Sequence, residues 1–363
     1  MRGETEQPDN FIYNLNLDER VPKNHPLRRI RYYANEALKE MTGFFDTLYS
    51  REGRPSIPPE QLLRALLLQA LYGIRSERLL TESLDLNLLY RWFVGLSMDT
   101  PIWHHSTFTK NRERLLNEEA AAQFLVKIIE KARKKGITSD KHFSVDGTLI
   151  EAWASIKSFQ PKDDSDDSES DSDDSDKSGK NAARDFHDEK LTNDTHESRT
   201  DPDARLFKKS RGASAKLCYM GHALMENRNG LIIATRFTRA TGKAEREAAL
   251  EMIKTVSGSR RITLGADKGY DDKGFITDLR SNNITPHIAK HGRRNNIDKR
   301  TSRHEGYEQS IRIRKRIEET FGWLKQSAGF RKTKLRGLEA NAGIMNLFAA
   351  AYNLVRMSRL CPV

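Results

Sequence analysis

Ala215-Lys216-Leu217-Cys218-Tyr219-Met220-Gly221-His222-Ala223-Leu224-Met225, then Asn227-Arg228-Asn229-Gly230, then Leu231 to Thr238: the middle of this chain reads as two strands joined by a hairpin turn. Beyond it the hydrophobic period changes. Ala244–Val256 reads as a helix, Ile262–Ala266 as a strand, Phe275–Arg280 as a helix and Ile284–Ile288 as a strand. Gln309–Gln326 and Leu338–Ser358 read as two closing helices. Upstream of the hairpin, Phe143–Asp146 is a short strand candidate. A hairpin that feeds into βαβ units makes a mixed sheet with helices packed on it, so the expected class is α/β. Ligands in such folds usually bind at strand ends.

Residues 26–136 read as almost entirely helical. Pro58-Pro59-Glu60 opens a helix that Leu62, Leu63, Leu66, Leu67 and Leu71 continue until Gly73. Ser76–Leu84 and Asn87–Val94 follow as short helices, and Ser106 caps a basic segment holding Lys110, Arg112 and Arg114. This region is either a helix-turn-helix type of DNA reader or a small helical bundle with exposed charges. The expected division is a helical DNA-binding or assembly domain over residues 1–138 and a mixed-sheet catalytic domain over 139–358, the latter interrupted by a disordered acidic insertion at about 161–212, whose 179–212 part is a long polar connection. Residues 163–176 hold nine carboxylates and five serines, too few apolar groups to fold, and are expected to be disordered. That run is either a tolerated loop or an acidic screen over a basic groove.

The 363-residue chain carries a formal charge of +11, and removing the nine negative charges of that run leaves +20 elsewhere. A polyanion suits such a surface, nucleic acid being the commonest. Cys218 and Cys361 have no zinc spacing and imply no disulfide framework, which fits a reducing cytoplasm. No N-terminal stretch resembles a signal peptide, and the richest apolar runs, Leu62–Ile74 and Gly343–Val355, are too short to span a bilayer. His104 and His105 lack a third metal ligand at suitable spacing, and nucleotide-binding glycine loops are missing.

Three carboxylates stand out. Asp146 lies in Phe143-Ser144-Val145-Asp146-Gly147-Thr148, and Asp267 in Leu264-Gly265-Ala266-Asp267-Lys268-Gly269-Tyr270. Glu318 lies on a basic helix, Arg314-Lys315-Arg316-Ile317-Glu318-Glu319-Thr320-Phe321-Gly322-Trp323-Leu324-Lys325. At roughly 100° per residue, Arg314, Glu318 and Lys325 fall within about 40° of one another, beside an apolar stripe of Ile317, Phe321 and Leu324. Glu319 points away from that stripe. Oxygen ligands of this kind suit hard divalent cations, and paired cations commonly serve phosphodiester chemistry. The surrounding stretch 290–336 holds 15 Lys and Arg against five acids, a plausible DNA track that includes Arg312, Arg314, Arg316 and Lys325.

Together these motifs resemble the DDE transposases of bacterial insertion sequences, in particular the insertion sequence 5 group. Arg314-x3-Glu318-x6-Lys325 matches most of that group's Y-x2-R-x3-E-x6-K signature, Val145-Asp146-Gly147-Thr148 is similar to the first Asp motif, and Asp267-Lys268-Gly269-Tyr270 to the second. The likeness covers about residues 30–355. It implies a ribonuclease H-like catalytic core and cleavage of double-stranded DNA at terminal inverted repeats, followed by joining to target DNA. It also implies that Asp146, Asp267 and Glu318 hold two Mg²⁺ or Mn²⁺ ions, with Arg314 and Lys325 on phosphates. Lys110 and Arg112 are further candidate DNA contacts, and a homodimer would bring two ends together. The signature's Tyr falls at Ile311, with Tyr307 one turn earlier as a partial substitute. A ribonuclease H-like nuclease that cuts without joining, and an inactive DNA-binding repressor, are the competing expectations.

Overall fold

The computed structural model describes residues 16–49, 52, 56–115, 118–162, 192–208, 212–290 and 296–361, without the side chains of 112–118. The acidic run 163–176 lies outside them, so its expected disorder is not addressed. The N-terminal part comprises α1 (Leu17–Arg20), α2 (Pro26–Glu40), α3 (Thr42–Leu48), α4 (Pro59–Tyr72), α5 (Glu77–Leu86), α6 (Leu88–Val94), α7 (Ser106–Leu115) and α8 (Glu118–Lys134). Local chemistry sets these ends. Proline occupies the first turn of α4, where its missing N–H costs nothing, and Gly73 ends the helix at φ 61°. Ser76 accepts from the Leu79 N–H to cap α5, and Asn87 accepts from Leu89 and Tyr90 to cap α6.

The sheet follows. Its strands are β1 (His142–Glu151), β4 (Arg205–Phe207), β5 (Lys216–Glu226), β6 (Ile232–Arg239), β7 (Ile262–Ala266) and β8 (Ile284–Ile288). A separate pair is made by β2 (Phe159–Pro161) and β3 (His196–Ser198). β5 pairs antiparallel with β1 on one edge and with both β4 and β6 on the other, and β1, β7 and β8 run parallel. For the five long strands in chain order, the spatial order is third, second, first, fourth, fifth, with the second alone reversed. This is a ribonuclease H-like arrangement.

The helices of this part are α9 (Ala244–Lys254), α10 (Lys273–Ser281), α11 (Lys299–Arg303), α12 (Glu305–Ile313), α13 (Arg316–Gln326) and α14 (Leu338–Leu360). Alternation along the strands sorts them. A Cβ on Gly147 would meet Glu245 of α9, whereas one on Gly221, which stands opposite Thr148, would meet Met345 of α14. Neighbouring residues of a strand face opposite sides, so α9 and α14 cover opposite faces. α14 is buried along most of its length. It packs on β6 and α13 on one side and on α8, α2 and α4 on the other, so the N-terminal helices and the sheet share one hydrophobic core.

The hairpin turn is built on Glu226, which is fully buried. Its carboxylate accepts from the N–H groups of Ser139, Arg228, Asn229 and Leu231 at 2.8–3.1 Å. Gly230 supplies the positive φ of 72°. Two expectations change. The polar connection contains three short strands, β2, β3 and β4. The single helix expected over Gln309–Gln326 is two, α12 and α13, which meet at Arg314 and Lys315. There the hydrogen bonds shorten to i→i−3, from Ile317 N–H to Arg314 O and from Glu318 N–H to Lys315 O.

Candidate active site

Asp146 and Asp267 are brought together by register. The last paired couple of the parallel β1–β7 ladder is Ser144 with Gly265, and each aspartate lies two residues further on. They therefore sit at one height and on one face of neighbouring strands, whose usual spacing is about 4.8 Å. β7 ends there while β1 continues against β5 to Glu151, so the strands part and open a cleft at the end of β7. Gly265 keeps this face low. A Cβ at that position would lie 3.1 Å from Ser310 Oγ, 3.2 Å from Ser144 Oγ and 3.5 Å from Arg314 Cβ. The α12–α13 junction thus closes down on β7, and Arg314 Nη2 reaches Asp267 Oδ1 at 3.8 Å.

The electrostatics match this convergence. Burial, followed by the charges of Glu245 and Asp267, raises the Asp146 carboxyl from 3.8 to about 6, against the opposing pull of the Gly147 N–H and Arg314. Burial and then Asp267 raise Glu245 as well. Each aspartate also has a local donor: Gly147 N–H donates to Asp146 Oδ1 at 2.8 Å, and Lys268 N–H donates to Asp267 Oδ1. Among the described residues, no three His, Cys, Asp or Glu side chains stand close enough together to hold a metal ion between them. The donor set itself is nevertheless the right chemistry for a hard divalent cation: carboxylate oxygens that repel one another in a half-buried cleft.

Glu318 occupies a different position. It is exposed, in the first turn of α13, one turn past Arg314. The bend between α12 and α13 breaks the ideal helical spacing by which the sequence aligns Arg314 with Glu318. Ile317, Phe321 and Leu324 are buried as the apolar stripe requires, and Glu319 is exposed. Arg312 and Arg316 are exposed, and Arg316 donates to the Arg228 carbonyl at 3.4 Å. Lys325 is half-buried, and Lys110 is exposed on α7. The side chain of Arg112 lies outside the described residues. Tyr307 is no stand-in for the missing signature Tyr: it is buried, and its hydroxyl donates to the Ile288 carbonyl at 2.8 Å, bracing α12 against β8. His104 Nδ1 accepts from the Ser106 N–H at 3.3 Å and lies 2.9 Å from the Ser106 hydroxyl, a structural role at the start of α7.

Two buried groups nearby each carry one polar atom without a hydrogen-bond partner. Tyr270 is 1% exposed, and no hydrogen bond satisfies its hydroxyl. Burial and then the charges of Glu245, Asp146 and Asp267 raise it far above its ordinary value. His222 is fully buried, bonded through Nε2 to Thr238 Oγ1 at 2.8 Å, with Nδ1 unpartnered. Burial pulls it down to about 4, so it is neutral at physiological pH. A cavity of about 630 Å³ between Gly73–Glu77 and Gln326–Leu335 lies elsewhere and contains none of the aspartates.

A family model described as a transposase domain (DUF772) matches residues 15–114, and one described as a transposase DDE domain matches residues 185–354. The second match includes Asp267 and Glu318 and begins after β1, which carries Asp146. No curated protein matches by sequence. Similar solved structures include a pre-cleavage Mos1 transpososome (11% identity, 85% of this chain and 82% of that chain, TM-score 0.21). Another is a Mos1 transposase paired-end complex with the left transposon end (12% identity, 88% and 85% covered, TM-score 0.21). At such scores the fold rests on strand order alone. Among the described residues no helix is long and apolar enough to cross a membrane. The two family models together span about three quarters of the chain, and on them this chain belongs to the DDE transposases.

Proposed function

We propose that this DDE transposase serves a bacterial insertion sequence of the insertion sequence 5 group, cutting double-stranded DNA at the element's ends and joining them to target DNA. The reading is supported by the equal offset of Asp146 and Asp267 from the Ser144–Gly265 couple and by Arg314 standing against Asp267. Asp146, Asp267 and Glu318 are the catalytic carboxylates in this reading. Bound there, one or two Mg²⁺ or Mn²⁺ ions would supply Lewis-acid activation of the attacking oxygen and neutralise the leaving one. Glu318 would come to the aspartates from the first turn of α13, just past the junction with α12, where the hydrogen bonds run i→i−3. Arg314, Lys325, Arg312 and Arg316 line the approach and bind phosphates, with Lys110 and Arg112 as contacts further out.

The chain's own part is positioning. Each step exchanges one P–O bond for another: first water, later the freed 3′-hydroxyl, attacks phosphorus in line, and the opposite P–O3′ bond breaks. The departing 3′ oxygen ends protonated, and no covalent bond to the protein forms. The cleft beyond β7 holds the scissile phosphate against β1, and Arg314 offsets its charge. A homodimer brings two ends into one complex.

The test is product analysis. Full-length protein is incubated with end-labelled terminal-repeat duplex, supercoiled target plasmid and Mg²⁺. Label joined to plasmid is the expected result. Cut ends without joining would leave the nuclease reading, and no cutting with intact DNA binding would leave the repressor.

A further inference from the structure

The helical part of the chain gathers cations where α2, α4 and α6 meet. Arg28 and Arg31 of α2 lie over the buried ring of Trp92 in α6, their guanidinium carbons 5.1 and 4.4 Å from its centre. Arg28 is fully engaged: it donates to Asp18 Oδ1 at 3.1 Å and to the carbonyls of Asp18, Val21 and Pro22. Trp92 Nε1 donates to the same Asp18 oxygen at 2.9 Å. Arg31 is different. It is half-buried, and beyond the ring no hydrogen bond or ion pair engages it among the described residues. One turn further along α2, Asn35 accepts from Arg64 Nη1 of α4 at 2.7 Å. That bond sets Arg64 beside Arg31, and no acid among the described residues pairs with Arg64 either.

Two half-buried cations side by side without a counter-ion are costly to hold. Burial weakens the hold of both on their protons, and the charge of Arg31 adds to the effect on Arg64, which comes down to about 10. The nearby acids do not offset them. Asp18 is committed to Arg28 and Trp92, and Glu60 acts on Arg64 less than burial and Arg31 do. Both guanidiniums end beside Gly95, which is exposed at the end of α6 with φ 87°. Arg64 Nη2 and Arg31 Nη2 lie 3.4 and 3.9 Å from where its side chain would begin, so glycine leaves the gap between them open to solvent. The planar fork of a guanidinium matches phosphate oxygens, and two forks can hold one phosphate from two sides.

We propose that Arg31 and Arg64 together hold one backbone phosphate of the DNA, in the gap beside Gly95. This rests on the proposed reading of the chain as an enzyme of double-stranded DNA. The phosphate brings the negative charge that the pair lacks, and the duplex is anchored on the helical part as well as in the cleft beyond β7. Trp92 and Asn35 hold the two guanidiniums in place before DNA arrives, so less freedom is lost on binding.

The experiment is DNA binding by the purified full-length chain, read as anisotropy of a labelled terminal-repeat duplex at several salt concentrations, for wild type, R31Q, R64Q and the double variant. The double variant should bind about tenfold more weakly at about 0.1 M salt and lose about 1 from the salt slope, the share of one phosphate. Each single variant should lose most of that, because the two arginines serve one anion. The same losses are expected on an unrelated duplex, since a phosphate carries no sequence. Wild-type affinity and slope in the double variant would overturn the site, and a slope lower by about 2 would overturn the sharing of one phosphate. Wild-type protein that binds no duplex would instead overturn the DNA reading on which the site rests. Inorganic phosphate is titrated into the same proteins by calorimetry. Binding to wild type alone, with DNA affinity unchanged in the double variant, would make this a free-phosphate site and overturn the DNA contact. Phenylglyoxal labelling of wild type, read by mass spectrometry, needs no variant to fold. DNA should shield Arg31 and Arg64, and equal labelling with and without DNA would overturn the proposal.

Discussion

Replacing Asp146 by Asn should stabilise the metal-free protein at neutral pH. Burial, and then the charges of Glu245 and Asp267, hold the carboxyl at about 6 rather than 3.8. A carboxyl with a higher value folded than unfolded takes up protons on folding. Its full favourable contribution is therefore present below about pH 4, is lost as pH rises through 6, and stays lost above. At 1.36 kcal/mol for each tenfold change in proton affinity, the step from 3.8 to about 6 amounts to about 3 kcal/mol. An amide carries no charge, and its oxygen can still accept the Gly147 N–H that Asp146 now accepts. Urea unfolding in chelator should show D146N more stable by about 3 kcal/mol at pH 7.5, shrinking below about 1 kcal/mol at pH 4. In saturating Mn²⁺ the order should reverse, because wild type alone gains the full binding energy. A D146N protein that is less stable at pH 7.5 in chelator, or whose advantage is the same at both pH values, would refute the reasoning.

Other perturbations have equally definite outcomes. Gly147→Ala forces a methyl to 3.0 Å from both Glu245 Oε1 and His222 Nδ1. It should cost about 1–3 kcal/mol in urea unfolding, and E245A should restore part of it in the double variant. Glu226→Gln replaces an acceptor of four backbone N–H groups with one that is half donor. A loss of about 2–5 kcal/mol is expected, with amide exchange accelerating first over residues 227–231. Lys325→Ala should weaken DNA binding uniformly across sequences and lower the salt slope by about 1, read from titrations at several salt concentrations.

The parts of this fold that repeat a pattern could be read directly from the chain. β7 and β8 begin and end where the apolar runs Ile262–Ala266 and Ile284–Ile288 place them, and α4 to α6 stop at their glycine and asparagine signals. The three-residue strands β2, β3 and β4 carry no period, so a polar connection hides them. The bend at Arg314 and Lys315 is also invisible to periodicity, because both residues are good helix formers and tertiary packing on β7 imposes the change. Asp267 was legible as an acid just past a strand end, whereas Asp146, read as closing a short strand at Phe143–Asp146, lies in the middle of β1 because pairing with β5 carries that strand on to Glu151. Their equal offset from the Ser144–Gly265 couple is a matter of register, which pairing alone fixes. Glu245 left no signal at all. It reads as an ordinary first-turn acid, and only the pairing of Gly147 with His222 across β1 and β5 reveals what it touches.

The central claim is that Asp146 and Asp267 form one catalytic site. Cleavage of a labelled element-end duplex in Mg²⁺ by D146N and by D267N tests it most directly, with DNA binding measured on the same preparations. Both variants should bind DNA within about twofold of wild type and lose at least 10³-fold in cleavage rate, as removal of an essential metal ligand demands. Cleavage at near-normal rate by either variant would contradict the account.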